Sequence, residues 1–318
     1  MTFELRFSLV VLATFFGASA IVSLITFAGA RAVVGPRAAG GWRPGGLALL
    51  RLMPAAVSLA LTLLVLAPGY YAHEQRADGE STGYLIAAAA LGGVLILLSS
   101  FARGTRAILR TARLRQAWLS VARPARVTGA GMPAYEIDVP FPLVAVVGTA
   151  RPRLFISSIV LRECPAPELA AIIEHERAHV SARDNVVRLM MDAAPDLLAL
   201  TRVPARIASA WHQAIEHRAD DAASTRTDLA SALVRVARLA TRPGSIALPA
   251  SALYRGEGIE DRVRRLVTRS QDTARPGRTR ALIAACTVVA GAICAAALTG
   301  SGSRAAHAVL EAAVSYLP

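Results

Sequence analysis

Four stretches of this chain are long, apolar and nearly free of charge, and they limit what the rest can become. They are residues 7–30, 47–66, 84–101 and 281–298. About 20 apolar residues in a row suffice to cross a bilayer as a helix, and a soluble core has no need of such runs. The overall 54% hydrophobic content and mean hydropathy of +0.45 reflect these blocks. A cleaved signal peptide is the rival reading of the first run. Residues 7–30 are too many for its apolar region, and Glu4 weakens the basic start such a peptide needs, so a retained span is expected.

The flanking charges orient these spans. Arg31, Arg37, Arg43 and Arg51 follow the first run without an acid, whereas residues 70–82 hold Glu74, Asp78 and Glu80 against Arg76. The third run is followed by Arg103, Arg106, Arg110, Arg113 and Arg115, and the fourth is preceded by Arg275, Arg278 and Arg280. Because basic loops stay on the cytoplasmic side, both chain ends fall outside and residues 103–280 fall in the cytoplasm. The expectation is a multi-pass protein of the cell (inner or plasma) membrane, with the lipid bilayer as its first partner. The net charge of +13 is all arginine excess, much of it beside apolar spans, and no DNA-binding motif accompanies it. No direct nucleic-acid partner is expected. Three cysteines (Cys164, Cys286, Cys294), with no C-x-x-C and two of them inside a span, imply no disulfide framework.

The expected layout is therefore a membrane region 1–102 with spans near 7–30, 47–66 and 84–101, a cytoplasmic domain 103–280, a fourth span 281–298 and a short extracytoplasmic tail 299–318. Within the domain, residues 103–122 read as a basic amphipathic helix able to lie along an anionic leaflet. Residues 135–139, 143–147 and 153–157 are short β-prone runs parted by Pro, Gly and Thr, which points to a small sheet or hairpin. Ser157 or Ser158 can cap a short helix through Cys164. Pro165, Pro167 and Glu168 mark a helix start, with Leu169, Ile172, Ile173, Val180 and Val187 as its buried stripe. Residues 205–223, 228–240 and 258–270 read as further helices, the last two basic, amphipathic and joined by a linker at 242–249. The fold class is mainly α: an integral membrane protein of about four transmembrane helices carrying an α+β domain with a small β-sheet.

The chemistry is concentrated in His175-Glu176-Arg177-Ala178-His179. Only six histidines occur in 318 residues, and four of them (His175, His179, His212, His217) fall in one short region, so a chance match is a poor explanation. At i and i+4 on one helix, His175 and His179 share a face and can reach one metal ion. Zn2+ takes imidazole nitrogen, keeps an open position in catalytic sites and lowers the pKa of bound water to about 7. Glu176, about 100° further round the helix, is placed to act as general base toward such a water. That is the chemistry of peptide hydrolysis.

Two histidines need a third ligand. Glu216 and Asp220, four apart on a downstream helix, supply a ligand and a carboxylate that orients a ligand imidazole. The bland alternative for this pair is an exposed acidic face laced to Arg218. His212, on the Glu216 face, is a candidate ligand or transition-state hydrogen-bond donor. His217 is a rival, and solvent exposure is the default for both.

The run His175 to Asp184, the later Glu216-His217-Arg218-Ala219-Asp220 and the segment Phe155 to Leu161 resemble BlaR/MecR-type membrane metallopeptidases. The core is also similar to the related heat-shock and CAAX-prenyl-protease type, which shares the H-E-x-x-H and E-x-x-x-D arrangement. The resemblance covers roughly residues 126–266. It implies a zincin-like (gluzincin) fold, Zn2+ held by His175, His179 and Glu216, and Glu176 as general base. It further implies a protein or peptide substrate, with a transcriptional repressor among the candidates. The BlaR/MecR sensors carry an extracellular penicillin-binding domain. No S-x-x-K occurs here, so the protease module without that receptor is expected.

An extended peptide is expected to pair with an edge strand from residues 135–157, and His212, Tyr135 or an arginine to stabilise the oxyanion. The rival of another class is a catalytically silent regulatory or scaffold protein with a vestigial or structural zinc site, against which the intact Glu176 argues. An intramembrane site-2-type protease is excluded. Its motif helix lies in lipid, whereas this one carries Glu174, Arg177, Arg183 and Asp184.

Overall fold

The structure, a computed structural model, describes residues 2–33, 42–74, 83–241, 258–268 and 276–316. The linker at 242–249, most of the 70–82 loop and Arg37, Arg275 and the end of the 258–270 helix lie outside the described residues. Two compact units emerge, one formed by residues 1–104, 190–211 and 274–318, the other by 105–189 and 212–273.

The first unit is helical. Helix α1 spans Phe3–Val33 and α2 spans Pro44–Leu61. The latter continues through a π-helical turn, Thr62–Leu66, into α3, Ala67–His73. Pro68 has no N–H to offer the carbonyl four residues back, at Leu64, and the wide turn sits where that bond is missing. Helix α4 runs unbroken over Tyr84–Leu119, so the third apolar run and the basic stretch after it are one helix. Four helical segments, 3–30, 44–73, 84–119 and 279–298, are long and apolar enough to cross a membrane.

Close approach in this unit depends on Gly92 and Gly93 of α4. A Cβ at Gly92 would sit 2.6 Å from the Phe16 ring, and one at Gly93 would collide with the Leu12 carbonyl of α1. The unit also holds a buried ion pair, Arg51 to Asp196 at 2.5 Å, with side chains 3% and 0% exposed. In apolar surroundings neither charge is tolerable without the other. Arg103 donates to the carbonyls of Asp192 and Ala194, satisfying helix-end acceptors beside that pair.

The second unit is built on a four-stranded mixed sheet: β1 (Arg123–Ala125), β2 (Ala134–Ile137), β3 (Val144–Val147) and β4 (Arg153–Ser157). The spatial order is β1-β2-β4-β3, with β2 parallel to β4 and the other neighbours antiparallel. Three of these strands match the β-prone runs; β1 is additional. Gly148, at φ +116°, makes the turn between β3 and β4, where a Cβ would come 2.8 Å from the Arg151 carbonyl. Alternation along β4 divides the core. Leu154 and Ile156 face one layer, and Phe155 faces the other, against Trp118 from the end of α4.

The Leu154/Ile156 face is covered by helices: α5 (Ser158–Glu163), α6 (Ala166–Ser181), α9 (Arg226–Ala240) and α10 (Ile259–Thr268). Ile172 and Ile173 of α6 and Leu229, Leu233 and Val236 of α9 complete this core. Ser157 occupies the position before α5, yet its hydroxyl accepts the Leu143 N–H at 2.9 Å and caps no helix. The stripe expected on one helix is divided between two. Helix α6 ends at Ser181, and α7 (Asp184–Ala193) carries Val187. Helix α8 follows over Val203–Ala222, with a 3-10 turn at Leu197–Leu200 before it. In the first unit, α11 (Pro276–Leu298) and α12 (Gly300–Tyr316) complete the fold, so the tail is a helix.

Gly93→Val should wedge α1 from α4 at a cost of about 1–3 kcal/mol, the usual penalty of overpacking. A lowered melting temperature in detergent, with the Gly17→Ala control unchanged, is the expected result; a Cβ at Gly17 meets nothing within 4 Å.

Candidate metal centre

Helix α6 is specified at its start by Pro165, Pro167 and Glu168. Glu168 receives a bidentate pair from Arg235 of α9 at 2.6 and 2.9 Å. Glu174, further along, accepts the Ser224 N–H and hydroxyl just before α9, and these bonds hold its carboxyl below the usual range. These ties and the Ile172/Ile173 packing fix the rotation of α6. The next turn is then fixed too, and it carries His175, Glu176 and His179.

Beyond Ser181 the chain turns at Arg183, which has φ +55°. That left-handed residue lets α7 begin with Asp184, whose carboxylate meets His179 Nδ1 at 2.7 Å. Arg218 from α8 donates to the same carboxylate. On α8, Glu216 and Asp220 lie one turn apart. Asp220 Oδ1 is 3.1 Å from His175 Nδ1. Each imidazole therefore has its Nδ1 against a carboxylate, by a hydrogen bond at His179 and by a charge contact at His175, which in the neutral ring favours the proton on Nδ1 and a lone pair on Nε2.

The two Nε2 atoms face each other at 3.2 Å. Glu216 stands opposite both, with Oε2 3.5 Å from His175 Nε2 and Oε1 3.6 Å from His179 Nε2. Ligand atoms about 2.0–2.2 Å from a tetrahedral zinc ion lie about 3.3–3.5 Å from one another, so this spacing fits that donor set. Two lone pairs and a carboxylate converging at this range repel unless a cation or proton lies among them. The donor atoms of His175, His179 and Glu216 all fall within 4.8 Å of one another. Glu176 is fully buried beside them, and among the described residues its Oε1 accepts no hydrogen bond.

The ionisation states follow from the same contacts. Burial works against a charged His175, but Asp220 and Glu216 outweigh it and push its pKa up to about 9. Burial also opposes a charged Glu216. The hydrogen bond to His175 and the Arg262 guanidinium reverse that, bringing it down to about 2. Asp220 is held well below the carboxylate range against its own burial by His175 and Arg262. Glu176 moves the other way: burial raises it, and the two histidines only partly offset the rise.

Arg262 of α10 was not singled out by the sequence. It donates to both oxygens of Asp220 at 3.0 and 2.6 Å and lies 2.9 Å from Glu216 Oε2. Read as part of a basic amphipathic surface, it is in fact 7% exposed. The signal that pointed to it was the excess of carboxylates: Glu176, Asp184, Glu216 and Asp220 together need buried counter-charge.

Other expected participants lie elsewhere. His212 is half-buried with Arg188 Nη2 3.1 Å from its Nε2, and it is not one of the three clustered donors. His217 is half-buried and offers its carbonyl to Arg265 at 2.9 Å. Tyr135 stacks on Phe155 at 5.4 Å, in the layer of the sheet opposite the one α6 covers, because neighbouring strand residues alternate in direction. It is not an oxyanion donor. Asn185, next to Asp184, donates to the Val146 and Gly148 carbonyls at 3.3 and 3.1 Å, tying edge strand β3 to the helix that orients His179.

Residues 108–243 match the family profile of peptidase family M48. The matched region is less than half of the chain and contains His175, Glu176, His179, Glu216 and Asp220. No curated protein and no solved structure matches the chain.

Asp220→Asn and Asp184→Asn should each weaken zinc binding by about 10–100-fold, the usual cost of losing an imidazole's carboxylate partner; competition with a chromophoric chelator measures it. Zinc needs His175 neutral, so at pH 7.5 binding should expel about one proton, read by calorimetry in two buffers. In the metal-free protein, His175 is raised from 6.5 to about 9. Its contribution to stability is then complete below pH 6.5 and fades as pH rises toward 9, so the metal-free melting temperature should fall across that window.

Proposed function

We propose that this protein is a membrane-bound zinc metalloendopeptidase of the M48 kind. The convergence of His175 Nε2, His179 Nε2 and a Glu216 carboxylate from two helices, with the buried carboxyl of Glu176 beside them, carries the reading. The family match over residues 108–243 supports it independently. His175, His179 and Glu216 would hold the ion, and Asp220 and Asp184 keep both imidazoles in the tautomer a ligand requires. Zinc, when bound, would supply Lewis acidity toward a carbonyl and toward water.

The remaining work belongs to the chain. Glu176 sits in a dry position that raises its proton affinity, so it can take a proton from the attacking water and return it to the leaving amine. Arg262 stays charged and pairs with Glu216 and Asp220, so burial does not neutralise them. An extended substrate would be placed by main-chain pairing with edge strand β3 on the Val144 side, since Asn185 takes the Val146 and Gly148 carbonyls. The apolar helices anchor this domain in the cell membrane with its site in the cytoplasm. Its substrates are cytoplasmic or membrane-surface proteins, a transcriptional repressor among them if the kinship to the BlaR/MecR type holds.

Glu176→Gln should retain zinc and lose proteolysis of casein by about 10²–10⁴-fold, the range ascribed to a positioned acid–base group. Equal activity in wild type and Glu176→Gln overturns the reading. Zinc bound by a wild type that cleaves neither casein nor itself would favour the scaffold role.

A further inference from the structure

The six histidines of the chain form more than one group. Beyond the pair on α6 and the two on α8, His73 and His307 are 234 positions apart in sequence, yet their rings lie 5.7 Å apart in the helical unit. They meet where the end of α3 packs against α12. Glu74, the residue after α3, faces His307 Nδ1 with Oε2 at 3.9 Å. Glu311, one turn beyond His307 on α12, places Oε1 3.6 Å from His307 Nε2. One donor atom from each of Glu74, His307 and Glu311 falls within 4.8 Å of the others.

Several features separate this group from a solvated charge cluster. The His307 side chain is 15% exposed, and among the described residues its buried Nδ1 has no hydrogen-bond partner. Glu74 stands off Nδ1 and Glu311 off Nε2, neither near enough for a hydrogen bond, and one donor atom of each residue still lies within 4.8 Å of the other two. Glu74 is also largely buried, at 15% exposure, with Oε1 turned to Arg6 at 3.4 Å and Oε2 turned to His307. The ligand plan repeats the one at the active site: two donors at i and i+4 on one helix and a carboxylate from another element. His73 adds a second imidazole beside the first, its Nδ1 3.0 Å from the Gly69 carbonyl.

We propose that Glu74, His307 and Glu311 form a second divalent-cation site, with His73 adjoining, and that a zinc-class ion bound there clamps α12 onto the end of α3. Mixed imidazole and carboxylate donors favour a first-row transition ion over Ca2+ or Mg2+. Glu311 is 67% exposed, which gives the ion an open route to solvent and makes the clamp responsive to ambient metal.

The test uses the full chain without a polyhistidine tag, purified in detergent, stripped with chelator and titrated with zinc alone. Wild type should take up about two ions and the His175→Ala/His179→Ala variant about one, each such site holding a single ion. Adding His307→Ala and Glu311→Ala to that variant should abolish the remaining binding. If the active-site variant does not fold, His307→Ala/Glu311→Ala in the intact chain should lose one ion and keep its proteolytic activity. Stoichiometry unchanged by the His307 and Glu311 substitutions overturns the proposal. One ion that survives loss of His175 and His179 but not of His307, with none lost at the active site, upholds this site and sinks the catalytic one.

Discussion

The second unit depends on an electrostatic problem at its centre: two imidazole nitrogens and a carboxylate brought to within 3.2–3.6 Å of one another. That arrangement is unfavourable by itself, and the surrounding elements act to hold it. Asp220 and Asp184 fix the rings, and the Arg183 turn returns the chain so that Asp184 can reach. Arg262 keeps Glu216 and Asp220 ionised at a site where burial alone would neutralise them. The result is a preformed set of donors whose mutual repulsion a proton on His175 relieves, and which a divalent cation would relieve in its place.

Rotation of one helix matters more here than its length. A shift of α6 by a single residue would move His175 and His179 about 100° off the shared face. Ile172 and Ile173 resist that shift from the core side. Glu168 with Arg235, and Glu174 with Ser224, resist it from the side of α9. The Glu168–Arg235 pair, with its arginine partly in water, would contribute modest stability alone. Its role is angular, because it fixes the same helix from a second direction.

That His175 and His179 share a face of one helix is legible in the sequence because i, i+4 spacing is local. Glu216 and Asp220 could be read for the same reason. Arg262 could not, since a buried arginine and a solvated one look alike on a basic amphipathic helix, and only the three-dimensional excess of carboxylates distinguishes them. The mixed sheet was visible as β-prone runs, but neither its strand order nor the parallel pairing of β2 with β4 follows from local pattern. Tyr135 was misplaced because the face of a strand depends on register, and a one-residue change reverses it. The apolar runs read cleanly by length, and the basic helix after the third run reads as helix too; that it continues the same helix without a bend along the leaflet does not follow from a hydropathy that changes sharply near Arg103.

The two candidate metal groups share a donor plan and differ in what stands behind it. At the His175/His179 group, each imidazole has a carboxylate near its far nitrogen, and the carboxylates are themselves held by Arg218 and Arg262. His307 has a carboxylate near each ring nitrogen, so binding an ion would use one contact to make another. Glu311 is largely in water, where an ordered side chain costs more entropy than a buried one. Preorganisation would therefore favour a resident ion at His175 and His179, and an exchanging one at His307. The difference comes from the carboxylates and arginines behind the donors, since both groups use the same i, i+4 spacing.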